Sequence, residues 1–196
     1  MIGDLKIDGL LIYKLFNLFV RLTKELHACH VFAVTSDSLF MERVHTEAML
    51  HGRCRYMLVD DFDYYTTAEF LKKYGFSKEE IELTWEYFGG KPVYLVESIK
   101  ERDRLREFCE EMLRIRKGQI KDSVYSLDEE FRRSVFETFA RFREEEGITY
   151  EYLTEELVWC IKNNILFLDP VNEIVKPQSR LDLLALRKVL EEVSLV

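Results

Sequence analysis

Met57-Leu-Val-Asp60-Asp61 is an apolar run ending in paired acids, an arrangement that can hold Mg²⁺ through water. Its plainer reading is a buried strand whose trailing acids, with Asp63, favour the N-terminus of the next helix. Gly89-Gly90-Lys91-Pro92 combines glycines with a lysine, yet the phosphate-cradling pattern G-x-x-x-x-G-K-[ST] occurs nowhere in the 196 residues. The proline that follows Lys91 has no amide N–H and suits the first turn of a helix better than a phosphate nest. His27, Cys29 and His30 form one candidate ligand trio, and His45, His51 and Cys54 a second. Neither has the paired spacing of a zinc frame, and their side chains should diverge where a helix ends and a strand begins, so no metal is expected. Nucleophile–base triads assemble in space, so spacing alone proposes none.

The elements that must position these residues alternate at first. Leu11, Leu15, Leu18, Phe19, Leu22 and Leu26 recur at helical spacing and predict one long helix over 9–28 with a buried stripe. His30-Val-Phe-Ala-Val-Thr35 reads as a buried strand, and Ser36 or Asp37 can cap a helix running from Ser38 to about His51, closed by Gly52. Arg55 to Asp60 reads as a second buried strand. Helix–strand alternation of this kind belongs to a parallel α/β sheet. Beyond Asp63 the pattern is helical: 66–74, closed by Gly75; 77–88, opened by the capping box Ser77-Lys-Glu-Glu80; 92 to about 116, with Gly118 as an interruption; and 127–145. The last fifty residues read as a helix over 154–163, a hairpin from the runs 165–168 and 173–176 around Asp169-Pro-Val-Asn172, and a closing helix over 180–192. A winged helix is the expected arrangement of these three parts.

Composition narrows the classes. Apolar residues are 47% and aromatics 13%, which excludes a globally disordered chain. The formal charge is −8, spread over both halves, which argues against broad capture of nucleic acid or of an anionic membrane. Charged residues reach 33% while Asn and Gln number only six, a balance suited to a thermophile's protein. The four cysteines make no CxxC pair and the sequence opens on no signal peptide, so reduced thiols and a cytoplasmic location are expected. The most apolar stretch, 10–22, is broken by Lys14, Asn17 and Arg21, and no membrane span is expected. The helix that would read DNA in a winged helix carries Glu155 and Glu156 against Lys162, so protein docking is favoured over nucleic acid.

Six strings resemble the archaeal ATPase family of P-loop NTPases of the STAND/AAA+ type: Ile2-Gly-Asp-Leu-Lys-Ile-Asp8, Leu22-Thr-Lys-Glu-Leu-His27, Val31-Phe-Ala-Val-Thr-Ser-Asp-Ser-Leu-Phe40, Glu47-Ala-Met-Leu-His-Gly-Arg53, Tyr87-Phe-Gly-Gly-Lys-Pro92 and Val175-Lys-Pro-Gln-Ser-Arg180. The resemblance runs over nearly the whole chain. It implies ATP as the ligand and a mixed α/β, mostly helical fold in three parts: a partial parallel α/β nucleotide-binding core over 1–62, a helical lid over 63–120, and a winged-helix domain over 121–196. In that frame Ser36 and Asp37 end a sensor-1 strand facing the γ-phosphate, or simply cap a helix. Arg53 of the Gly52-Arg53 pair reaches phosphate, or packs at the sheet edge. Gly89, Gly90 and Pro92 place a proline against adenine, or form a helix–helix turn. The family's Walker A loop and Walker B strand lie upstream of the region resembling Met1-Ile2-Gly3, so the chain is expected to be a C-terminal portion. Weak or absent ATP binding and no hydrolysis by itself are expected to follow, with no metal. The two apolar strands would then lack their shared neighbour. They predict a homo-oligomer, or a partner protein that completes the core. A non-catalytic protein-interaction module built from the lid and winged helix is the alternative, and a DNA-binding winged helix the less favoured one.

Overall fold

A computed structural model describes residues 9–46 and 53–193, which fall into two compact units, Met1–Met57 and Leu58–Val196. Most of the described residues are helical, and their one sheet has three antiparallel strands.

In the first unit, helix α1 (Gly9–Val20) runs into a π-helical turn, Arg21–Glu25. The Thr23 hydroxyl donates to the Phe19 carbonyl at 2.8 Å, a side-chain bond that competes with the backbone ladder where the helix widens. His27, at φ 48°, ends the segment. Helix α2 (Ser38–Thr46) is capped by Asp37, whose carboxylate accepts the Phe40 amide at 3.0 Å. Phe16 and Phe40 stack with centroids 6.4 Å apart and join the two helices. The stretch 47–52, with the expected helix end and Gly52, lies outside the described residues.

Three expectations for residues 9–60 need correction. The runs 30–35 and 55–60 form no strand. Phe32 is 85% exposed, Val34 94% and Val59 85%. Apolar, β-branched residues favour a pleated, half-buried surface, but a strand exists only where a neighbour accepts and donates its backbone hydrogen bonds, and none lies beside them among the described residues. The stripe of the first helix is likewise not a buried one, since Leu15, Leu18 and Leu26 are exposed.

The second unit has a dense core. Asp63 caps helix α3 (Tyr64–Lys72) through the Thr66 amide, and Gly75, at φ 81°, closes the turn after it. Ser77 and Glu80 form the expected capping box of α4 (Lys78–Phe88), and Pro92 occupies the first turn of α5 (Pro92–Lys100). A single helix was expected from 92 to 116, but the chain breaks at a 3₁₀ turn, Arg102–Arg104. The Arg102 guanidinium fastens this break. It donates to both Glu80 carboxylate oxygens, at 3.0 and 2.9 Å, and to the carbonyls of Tyr74 and Gly75, and it lies over the Phe76 ring. Helix α6 (Leu105–Tyr125) then runs straight through Gly118. The expected interruption is absent because one interior glycine costs only about 1 kcal/mol, which the buried face of α6 outweighs. Ala68, Leu71, Phe88, Leu95, Phe108 and Leu181 are among the side chains that close this part of the core.

Helix α7 (Glu129–Ala140), capped by Asp128, leads to a short strand β1 (Ile148–Thr149) that sequence periodicity did not register. Helix α8 (Glu155–Lys162) precedes the expected hairpin of β2 (Leu166–Asp169) and β3 (Ile174–Pro177). The Asp169 carboxylate closes the hairpin turn by accepting the amides of Val171 and Asn172. The strand order is β1-β3-β2, with Val175 facing Ile148 on one side and Leu168 on the other. Helix α9 (Arg180–Val193) packs along α6. Its cap Ser179 accepts the Asp182 amide at 3.2 Å and donates to the Asp182 carboxylate, which also receives Arg116 Nε at 2.6 Å. Burial pushes the Asp182 carboxyl above its ordinary value despite the pull of Arg116 and Ser179. Among the described residues no helix is long and apolar enough to cross a membrane.

Candidate functional site

The residues singled out from sequence divide between the units. Ser36, Asp37 and Arg53 belong to the first, where all three are exposed. Asp37 spends its carboxylate on the α2 cap. Gly89, Gly90 and Pro92 belong to the second, and their surroundings are closely built.

The extended segment 60–62 crosses the turn between α4 and α5 and meets the end of the sheet there. The Phe62 amide donates to the Gly90 carbonyl at 3.0 Å. A Cβ on Gly90 would stand 1.7 Å from the Phe62 carbonyl oxygen, so only a residue without a side chain fits. Gly89 adopts φ 59°, and a Cβ there would be 3.3 Å from Arg180 Cβ. Lys91 Nζ donates to the Gln178 carbonyl at 2.9 Å and stands 3.9 Å from the Asp61 carboxylate. Lys176 Nζ donates to Asp60 Oδ2 at 2.6 Å and lies over the Phe167 ring. Pro92 itself is exposed at the start of α5.

Charge at this junction follows its packing. Partial burial alone would raise the Asp60 carboxyl, but the Lys176 ammonium, the Asp61 amide and the Lys91 charge hold it below its ordinary value. At Asp61 burial outweighs Lys91, and the carboxyl sits above its ordinary value. The two acids of the 57–61 run therefore face lysines, and the cap of α3 comes from Asp63 instead. Sequence reasoning missed Lys91, Lys176 and Gln178 as partners of this segment. The one signal was that both Tyr87–Pro92 and Val175–Arg180 stood out as strings, without any indication that they meet.

Among the described residues no three His, Cys, Asp or Glu side chains come together as a metal-binding group. Cys29 and Cys54 are exposed, while burial pushes the thiols of Cys109 (to about 12) and Cys160 upward and keeps both protonated.

Residues 1–98 match a family described as "ATPase domain predominantly from Archaea". The chain belongs to this family. Residues 106–190 match a second description, "Uncharacterized ATP-binding protein MJ1010-like, C-terminal domain". An uncharacterized ATP-binding protein of Pyrococcus abyssi is 55% identical over 191 residues, covering 97% of this chain and 56% of that protein. One of Methanocaldococcus jannaschii is 54% identical over 198 residues, covering 98% of this chain and 55% of that protein. A second Pyrococcus abyssi relative is 56% identical over 194 residues, covering 98% and 60% respectively. The chain thus spans little more than half the length of these relatives. No solved structure matches. The boundary between the two family matches falls near the 3₁₀ break before α6, inside the second compact unit.

Proposed function

We propose that this chain acts within an ATP-binding protein of the archaeal ATPase family, contributing part of a nucleotide-binding α/β core, a helical lid and a winged helix. The observation that carries the reading is the state of the runs 30–35 and 55–59. Both have the composition of buried strands, yet Phe32, Val34, Met57 and Val59 stand exposed and neither run is a strand, and both fall within the match to the ATPase family. Surfaces of this kind are completed by further strands. The completing polypeptide is a second copy of the chain or another protein that bears the phosphate loop. On this reading Ser36 and Asp37 end a core strand near the γ-phosphate, Arg53 reaches phosphate, and the Gly89–Pro92 turn lies at the adenine. The order α7, β1, α8, β2, β3, with β1 and β2 flanking β3, supports a winged helix for the C-terminal part.

None of the 196 residues forms G-x-x-x-x-G-K-[ST], so the groups that would cradle the β- and γ-phosphates come from outside this sequence. The expected result is no Mg²⁺-ATP turnover by this chain alone, with turnover appearing when a polypeptide carrying the phosphate loop and its acidic strand is added. Turnover by the purified chain above a boiled control overturns the reading. Light scattering of the chain alone supplies a second check: self-association is expected, and a clean monomer at working concentration argues against completion by a second copy.

A further inference from the structure

The C-terminal part carries a second surface that the nucleotide reading does not use. A groove of about 350 Å³ opens between α7 and α8, lined by Phe131, Leu153, Glu155, Val158, Trp159 and Lys162. Its floor is aromatic: Phe131 and Trp159 meet edge to face, with centroids 6.4 Å apart. Tyr152, next to Leu153, is 71% exposed.

Along the segments that form the groove, α7, 151–154 and α8, acids outnumber bases. Glu155 lines the groove and Glu156 follows it, while Glu130 precedes Phe131 and Glu151 stands two residues before Leu153. Among the described residues none of these four carboxylates is held in an ion pair, whereas Glu80, Asp182, Glu192 and Asp60 of the same unit each engage a cation. Lys162, at the other end of α8, is the cation among the lining residues, and neighbouring Arg132 is turned onto the Tyr125 ring. Uncommitted carboxylates around an aromatic floor repel phosphate backbones and attract cationic side chains.

We propose that this groove docks a basic amphipathic segment of a partner polypeptide. Its apolar side chains would enter between Phe131, Val158 and Trp159, and its lysines or arginines would meet the surrounding glutamates, as in helix-in-groove recognition.

The test uses the full chain carrying Trp85→Phe, which leaves Trp159 as the reporting indole of the two tryptophans. The probe is a Leu/Lys peptide of about 16 residues with leucines at i, i+3, i+4 and i+7. The controls are a scrambled peptide of the same composition, a Leu/Glu peptide of the same pattern, and a duplex DNA. Expected are a shift of Trp159 emission with the patterned Leu/Lys peptide, binding that weakens with salt, and a loss of about ten-fold in affinity for Glu155→Lys/Glu156→Lys. Glu151→Lys lies outside any helix and gives the same direction of change if the paired variant folds poorly. No shift, an equal response to the scrambled or Leu/Glu peptide, affinity unchanged by both reversals, or tighter binding of the duplex overturns the proposal. Each of these outcomes is independent of ATP turnover, so the proposal and the nucleotide reading fail separately.

Discussion

Residues 30–35 and 55–59 share their composition with residues 165–169 and 174–177, and the two pairs of segments meet opposite fates. Leu166, Leu168 and Val175 are fully buried in an antiparallel hairpin, while Phe32, Val34 and Val59 are exposed. The difference lies in how each run finds its mate. The hairpin's partners are four residues apart in sequence and are joined by a turn that Asp169 closes through two backbone amides. Closing so short a loop costs little entropy. The earlier runs are separated by a helix, as in a crossover between parallel strands, and such strands form only inside a sheet whose members are all present. Apolar β-branched sequence is therefore a request for a partner, and the fold depends on whether one is within reach.

Hydrogen exchange tests the contrast most strongly. The amides of 31–34 and 57–59 should exchange on the order of a thousand-fold faster than those of Phe167 and Val175, because the hairpin opens only with its surroundings. Comparable protection in both regions would break the comparison. Addition of a polypeptide that completes the core should slow the first set and leave the second unchanged. Next in size, Val175→Asp places a charge between β1 and β2 and should cost more than about 4 kcal/mol in a denaturant melt, whereas Val34→Asp should stay within about 0.5 kcal/mol. Equal effects at the two valines would mean that the exposed run is buried in solution.

The remaining measurements sharpen how the second unit is fastened. Gly90→Ala should lower its stability by about 1–3 kcal/mol, since the new methyl collides with the Phe62 backbone. A variant as stable as the parent would mean that the segment 60–62 lifts off the turn freely. The smallest effect concerns Glu192, whose carboxyl is held down to about 2 by hydrogen bonds from Lys117 and Lys121. Its folded pKa is below the unfolded one, so its contribution is present above pH 4.5 or so and is lost as pH falls towards about 2. The three groups are partly exposed to solvent, so Glu192→Gln should flatten the acid limb of a stability–pH curve slightly, and less so in high salt.

What was legible in the sequence was local. The box of Ser77 and Glu80, the start at Pro92, the Asp169 hairpin and the last helix all depend on residues a few positions apart. What was illegible was set at a distance. Lys91 reaches Gln178 across 87 positions, and Arg102 reaches Glu80 across 22. The break at 101–104 falls within five charged residues, 100–104, between Ile99 and Leu105, but a charged run is also what a solvated helix face carries, and the turn is fixed by Arg102 reaching Glu80. β1 is two residues long, too short for any alternation to register. For the site, the turn Gly89–Pro92 was visible as a string, but the reason for its second glycine was not. That reason is the Phe62 backbone, 28 positions earlier.

Arg102 bears on how the loops of this fold can vary in length. Its donors are committed to the Gly75 and Tyr74 carbonyls and to both oxygens of Glu80, and its plane rests on Phe76. A rigid fork that reads both sides of the α3–α4 connection measures that connection like a gauge. An added or deleted residue between 73 and 77 would move at least one carbonyl out of reach, so insertions and deletions among relatives should avoid this bend. Arg187 plays a similar part in the connection between α7 and β1, where it donates to the carbonyls of Phe142 and Glu145, so that bend too should keep its length.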